Sequence, residues 1–169
     1  MLKISLLYLF PYLFSCHSLI TKLSYSSNYT SEQLHTCSML LQESDYYNID
    51  KKLLVAIVWE ESKFFILPKP NKSNCVGPLQ IKVGYWCPNK HGVWSKHKKD
   101  GVLEHCDTIA RGLYAFNYYF SKKKSLVEKI CLYGPAKKCK NYKTSIYSKR
   151  YVDAVLKNLK RIQHHVIQR

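Results

Sequence analysis

Apolar and polar residues recur at helical spacing over residues 31–47, SEQLHTCSMLLQESDYY, which predicts a helix. The following stretch, NIDKKLLVAIVWEES at 48–62, predicts a second helix over about 51–62, with Asp50 as its N-cap. That helix is apolar on nearly every side, the mark of a central buried element. Residues 63–101 are rich in Pro, Gly, Asn and Lys and carry few apolar periods, so long loops with short helical or β pieces are expected. Helical spacing returns in GVLEHCDTIARGLYAFNYYF at 101–120, where Leu103, Cys106, Ile109 or Ala110, Leu113, Phe116 and Phe120 share a face. SLVEKICLYGP, 125–135, is a shorter helix stopped at Gly134–Pro135. The chain closes on an amphipathic stretch, 148–169, with Val152, Val155, Leu156, Leu159, Ile162 and Val166 inward and Lys and Arg outward. There is no internal repeat and no alternating hairpin pattern of any length, so the expected class is mainly α.

The N-terminus changes the picture. Residues 1–18 read as one Lys, an apolar run from Ile4 to Phe14, then small polar residues. This is the pattern of a secretory signal peptide; a signal anchor or a buried N-terminal helix are the other readings. LFSC at 13–16 also loosely resembles a bacterial lipobox, which would lipidate Cys16. Residues 19–31, ending in a Ser/Tyr/Asn stretch, read as a linker, and 32–169 as one domain. No stable transmembrane span is expected in the mature chain. Without Cys16, six cysteines remain: Cys37, Cys75, Cys87, Cys106, Cys131 and Cys139. An even count in an exported chain reads as up to three disulfides, for which there are about 15 possible pairings. No CxxC pair is present, so neither a zinc site nor a thioredoxin-like motif is expected, and no cofactor is implied.

Charge and aromatic content then suggest partners. The 169 residues carry 27 basic and 11 acidic side chains, a net +16, which favours a polyanion: nucleic acid, an anionic membrane or an anionic cell wall. Fourteen tyrosines offer flat apolar faces with polar tips, suited to sugars, peptides or bases.

Against that acid-poor background, Glu60 and Glu61 end the most apolar helix. Glu61 projects between Leu54 and Ile57, the most apolar arc, and Glu60 lies about a quarter-turn away. Adjacent helical residues do not share a face, so the two cannot act as paired acid and base across one bond. A carboxyl in apolar surroundings has its pKa raised, which keeps a proton available to a general acid. The structural alternative is an end-of-helix carboxylate paired with Lys51, Lys52 or Lys63.

Four pieces in order carry a resemblance: Glu61-Ser62 followed by Phe64, Phe65 and Pro68; Gly77-Pro78-Leu79-Gln80; IARGLYAF at 109–116; and YVDAV at 151–155. Over residues 50–157 the chain resembles the lytic transglycosylases, lysozyme-like enzymes that cleave bacterial peptidoglycan. The resemblance implies a lysozyme-like domain whose loop-rich segment forms the cleft wall. It implies Glu61 as the catalytic acid, with Ser62 and Gln80 supporting the cleft and binding substrate beside it, and Tyr151 orienting Glu61. The family's Tyr-Asn-Ala-Gly-Pro turn is here Leu132-Tyr133-Gly134-Pro135, so either Tyr133 or Cys131 takes the tyrosine's place. Cys75-Val76 stands where the family has Gly-Ala, and Pro78 replaces a Leu and lacks a backbone donor. On this frame Cys75 would bridge Cys87, Cys131 would bridge Cys139, and Cys37 would bridge Cys106. The family reaction leaves 1,6-anhydro-MurNAc ends with a single carboxylate.

Two rival readings remain. A goose-type-like hydrolytic lysozyme would need a second carboxylate, from Asp100, Glu104 or Asp107, which otherwise begin the next helix. A non-catalytic, cationic wall-binding or structural protein, including a part of a secretion or conjugation apparatus, would use the basic runs SKHKKDG, SKKKS and AKKCKNYK. Export disfavours nucleic acid. The expected location is the periplasm, the cell wall or the extracellular space.

Overall fold

The structure, a computed structural model, describes residues 6–24, 28–67, 69–87, 106–134, 139 and 145–164. Pro68, Asp100, Leu103, Glu104, Pro135 and Val166, and with them most of two basic runs, lie outside the described residues. Helices dominate: α1 (Leu6–Ser24), α2 (Ser31–Tyr46), α3 (Lys51–Ser62), α4 (Val83–Trp86), α5 (Thr108–Phe120), α6 (Leu126–Tyr133) and α7 (Ile146–His164). Two short strands, β1 (Cys75–Val76) and β2 (Ile81–Lys82), pair antiparallel, with Cys75 opposite Lys82 and Val76 opposite Ile81. The mainly α class read from the periods is the class observed.

Local chemistry starts most of these helices where the sequence places it. Asp50 accepts hydrogen bonds from Lys52 N and Leu53 N, and Asp107 accepts from Ile109 N and Ala110 N. Thr30 with Gln33, and Ser125 with Glu128, form reciprocal capping boxes on α2 and α6. Asp107 caps α5, so the helix begins at Thr108 rather than near 101; Cys106, expected on its apolar face, lies before it, and Ile109 rather than Ala110 takes the buried side.

The core gathers around α3. Leu54 to Val58 have no exposed surface, and α7 packs along them with Val152 and Val155. Leu113 and Phe116 of α5 and Ile130 of α6 belong to the same core. A second layer forms where α1 lies on α2, burying Cys16, Ile20 and Leu23 against the face that holds Cys37, Leu40 and Leu41.

The N-terminal region departs from expectation in two places. Residues 19–24, read as linker, continue α1, because Ile20 and Leu23 extend the buried stripe begun by Cys16. Cys16 itself, expected to be removed or lipidated, is bonded to Cys37 inside the core. Among the described residues no helix is long and apolar enough to cross a membrane.

The disulfides correct the expected pairing. Cys131–Cys139 forms as anticipated, but the other two bridges are Cys16–Cys37 and Cys87–Cys106, and Cys75 is a free thiol. The reason is topological. Backbone pairing between β1 and β2 already closes the Gln80 loop, leaving Cys87, beyond α4, to meet Cys106 at the entry to α5. Cys37 lies on the face of α2 that turns to α1, where Cys16 waits.

Candidate functional site

Glu61 stands in the last turn of α3, where the backbone leaves the helix abruptly. Lys63 and Phe64 adopt successive left-handed conformations, φ 55° and 68°. Such residues cost on the order of 1–3 kcal/mol each and persist only when their surroundings enforce them. Here the enforcement is visible. Gln33 Nε2 donates to the Lys63 carbonyl at 2.7 Å, and Ile66 N donates to Glu32 Oε1 at 3.1 Å, so the start of α2 pins the turn. The Phe64 side chain is buried and lies against Trp59.

Glu61 keeps a partly open surface but is densely surrounded by protein, and it is this density that sets its protonation. Burial drives its pKa up to about 7. The Tyr151 hydroxyl, donating to Glu61 Oε1, and the Lys63 charge pull it down, while the neighbouring Glu60 charge pushes it up. Tyr151 is held far above the usual phenol range, first by burial and then by Glu61, so it stays a hydrogen-bond donor. Glu60 is half-buried: its Oε2 lies 3.5 Å from Lys63 Nζ and 3.4 Å from Asn158 Nδ2. The two glutamates therefore divide as their helical angles predict.

Tyr133 closes another side. Its hydroxyl donates to the Leu79 carbonyl at 2.7 Å, and burial followed by the Glu61 charge pushes its pKa well up. Tyr133, rather than the disulfide-bonded Cys131, therefore supplies the phenol near Glu61. The tight turn after α6 has a steric basis at Gly134, where a Cβ would run into the Tyr151 ring. Gly112 on α5 has a similar one, since a Cβ there would lie 2.8 Å from Leu79 Cδ1.

Other expected residues do quieter work. Ser62 is buried, and its hydroxyl accepts from Phe64 N at 3.1 Å and reaches the Val58 carbonyl at 3.4 Å, so it braces the turn. Gln80, at φ 47°, donates from Nε2 to the Gly77 carbonyl at 2.8 Å and accepts from Asn71 Nδ2 at 2.7 Å. It holds the β1–β2 loop together. Cys75 on β1 lies half-buried near Glu61; burial, then the Glu61 charge, raises its thiol pKa.

Glu32, Gln33 and Asn71 were missed. The Thr30-x-x-Gln33 spacing signals a capping box, but nothing local shows that the same Gln reaches Lys63. A pocket of about 370 Å³ opens at the opposite end of α3, lined by Asn48, Asp50, Leu53, Phe116 and Lys129 among others. None of the groups around Glu61 borders it. Among the described residues, no three His, Cys, Asp or Glu side chains come together as metal ligands.

The arrangement offers one chemical capability: a single carboxyl that holds its proton up to about neutral pH, aimed by a phenol, with an open side. No family model, curated protein or solved structure gives a significant match to this chain.

Proposed function

We propose that the chain is an exported lytic transglycosylase that cleaves the MurNAc–GlcNAc bond of bacterial peptidoglycan. The observation that carries this reading is Glu61: buried enough to hold its proton to about pH 7, and bonded at Oε1 by Tyr151. Protonated Glu61 donates to the glycosidic oxygen as the bond to the MurNAc anomeric carbon breaks. The resulting carboxylate then takes the proton of the sugar's own 6-hydroxyl, whose oxygen closes on that carbon. The product is a 1,6-anhydro end, and the acid is regenerated without water. One group serves in turn as acid and base, which a pKa near the working pH permits.

Of the carboxylates that a hydrolytic route would draw on, Asp100 and Glu104 lie outside the described residues, and the Oδ1 of Asp107 accepts from two backbone N–H groups of α5. Three disulfides suit an oxidising compartment, in line with export. The net charge of +16 suits an anionic wall.

The test is mass spectrometry of muropeptides released from purified sacculi by the full oxidised chain, beside Glu61→Gln. Products ending in 1,6-anhydro-MurNAc, absent with Glu61→Gln, are expected. Reducing ends would replace the transglycosylase by a hydrolase. No product from folded, oxidised protein would leave a binding or structural role.

A further inference from the structure

Outside the Glu61 site, the most unusual surface is a cluster of aromatic rings on α4 and α5. Trp86 ends α4, with its ring centroid 6.1 Å from Tyr114, 5.6 Å from Tyr118 and 6.1 Å from Tyr119, each pair edge to face. Tyr114 and Tyr118 are four residues apart and so stack along one side of α5, each 49% exposed. Tyr85, just before Trp86, is 63% exposed. The core takes Ile109, Leu113, Ala115 and Phe116 from the buried side of α5 and one side of Trp86, and leaves Tyr85, Tyr114 and Tyr118 exposed. An isolated exposed aromatic is ordinary; a contiguous set is the mark of a binding surface.

The cluster is continuous with the catalytic glutamate's surroundings. Tyr119 lies 5.8 Å, edge-on, from Tyr133, the residue that closes the wall near Glu61. Cations flank the outer edge: Lys122 Nζ sits 4.0 Å over the Tyr118 ring, and Lys82 Nζ 5.9 Å from that of Tyr85.

We infer that this platform holds a further stretch of the glycan strand, beyond the sugars that flank the cleaved bond. The inference rests on the reading of the chain as a peptidoglycan enzyme for the identity of the polymer. Pyranose rings present flat C–H faces edged by hydroxyls, which match tyrosine's apolar face and polar tip. The carboxylates of the wall's stem peptides match the lysines. Tyrosines also sit at membrane interfaces, but a patch that enters the hydrocarbon adds exposed aliphatic chains, and every large hydrophobic residue strongly exposed on this patch is a tyrosine. Bases also stack on such rings, but the run from Tyr119 through Tyr133 toward Glu61 favours the polymer that the glutamate would cut.

The experiment uses the full chain carrying Tyr114→Ser with Tyr118→Ser, and separately Tyr85→Ser, with folding checked by thermal denaturation. In a Glu61→Gln background, co-sedimentation with purified sacculi is expected to weaken about tenfold for the pair and less for the single variant. In the active background, KM for sacculi should rise about tenfold while turnover of a soluble two-disaccharide wall fragment holds. Unchanged binding and KM in folded variants would overturn the proposal. So would tyrosine-dependent binding of phosphatidylglycerol vesicles or a single-stranded oligonucleotide in place of sacculi. Tyrosine-dependent binding to sacculi by a chain that releases nothing would uphold the platform and sink the cleavage reading.

Discussion

Helix α3 has a carboxylate at each end, and the two are treated in opposite ways. At its start, Asp50 is exposed and spends Oδ1 on the backbone N–H groups of Lys52 and Leu53. Nearby, Asp45 takes Lys51 Nζ at 2.6 Å and the Tyr12 hydroxyl at 2.7 Å, and these partners hold the Asp45 pKa below the usual carboxylate range. At its end, Glu61 has no backbone donor from its own helix; its partner is Tyr151, ninety positions along the chain, and burial drives its pKa to about 7. One end uses charge to stabilise the fold, and the other keeps a proton at some cost to it. Local partners make a structural carboxylate, whereas desolvation with one distant donor makes a chemically poised one.

The change that breaks this contrast most completely is Glu61→Gln. On the proposed mechanism it should lower turnover of sacculi by about 10²- to 10⁴-fold. The same substitution should stabilise the fold at neutral pH. Glu61 has its folded pKa raised from about 4.5 to about 7, so the folded state binds more protons between those values. The wild type therefore loses stability as pH rises from about 4.5 to 7, by up to about 3 kcal/mol before solvent screening, and no more above it. Denaturant titrations at pH 4 and pH 8 should show the variant gaining on the wild type only at the higher pH. A constant difference would mean that Glu61 is not desolvated as described.

Tyr151→Phe should come next. It removes a hydrogen bond to the charged form, worth about 1.5–3 kcal/mol, or roughly 10- to 100-fold in rate if that bond is made in the transition state. Because the hydroxyl lowers the Glu61 pKa, its loss should move the alkaline limb of the pH–rate profile upward from about 7. A limb that stays put would show that Tyr151 only fills space. Gly134→Ala should act in the same sense through position, pushing the Tyr151 ring off its place; a fall of about tenfold in kcat with a smaller upward move of the limb is expected.

How far the two ends could be read from sequence follows from the same physics. The all-round apolar run 53–58, the caps at Asp50 and Asp107, and the buried side of α5 depend on neighbours within one helix, so periodicity and cap rules reveal them. The desolvation of Glu61 was legible too, because Leu54 and Ile57 flank its arc. Tyr151 as its partner was legible only through the resemblance, since no local pattern links α7 to α3. The cysteines failed for that reason: the Cys16–Cys37 and Cys87–Cys106 bridges depend on how α1 lies on α2 and on a two-residue hairpin, neither of which periodicity reports. The contacts that Ser62 makes in the turn after α3, and Gln80 in the β1–β2 loop, were not legible, because neither feature leaves a hydrophobic signature.

The smallest effect sharpens the comparison from the other side. Asp50→Ala leaves Lys52 N and Leu53 N without their side-chain acceptor at the start of α3, and should cost about 1 kcal/mol of stability. Asp50→Asn retains an acceptor oxygen and should recover most of it. Turnover and the alkaline limb should be untouched in both, because α3 is a rigid rod buried along Leu54 to Val58, and fraying at its first turn does not reach its last. Thermal denaturation beside the pH–rate profile separates the two quantities. If Asp50→Ala moved the limb, the ends of α3 would be coupled electrostatically or through the helix, and the division of labour between its carboxylates would fail.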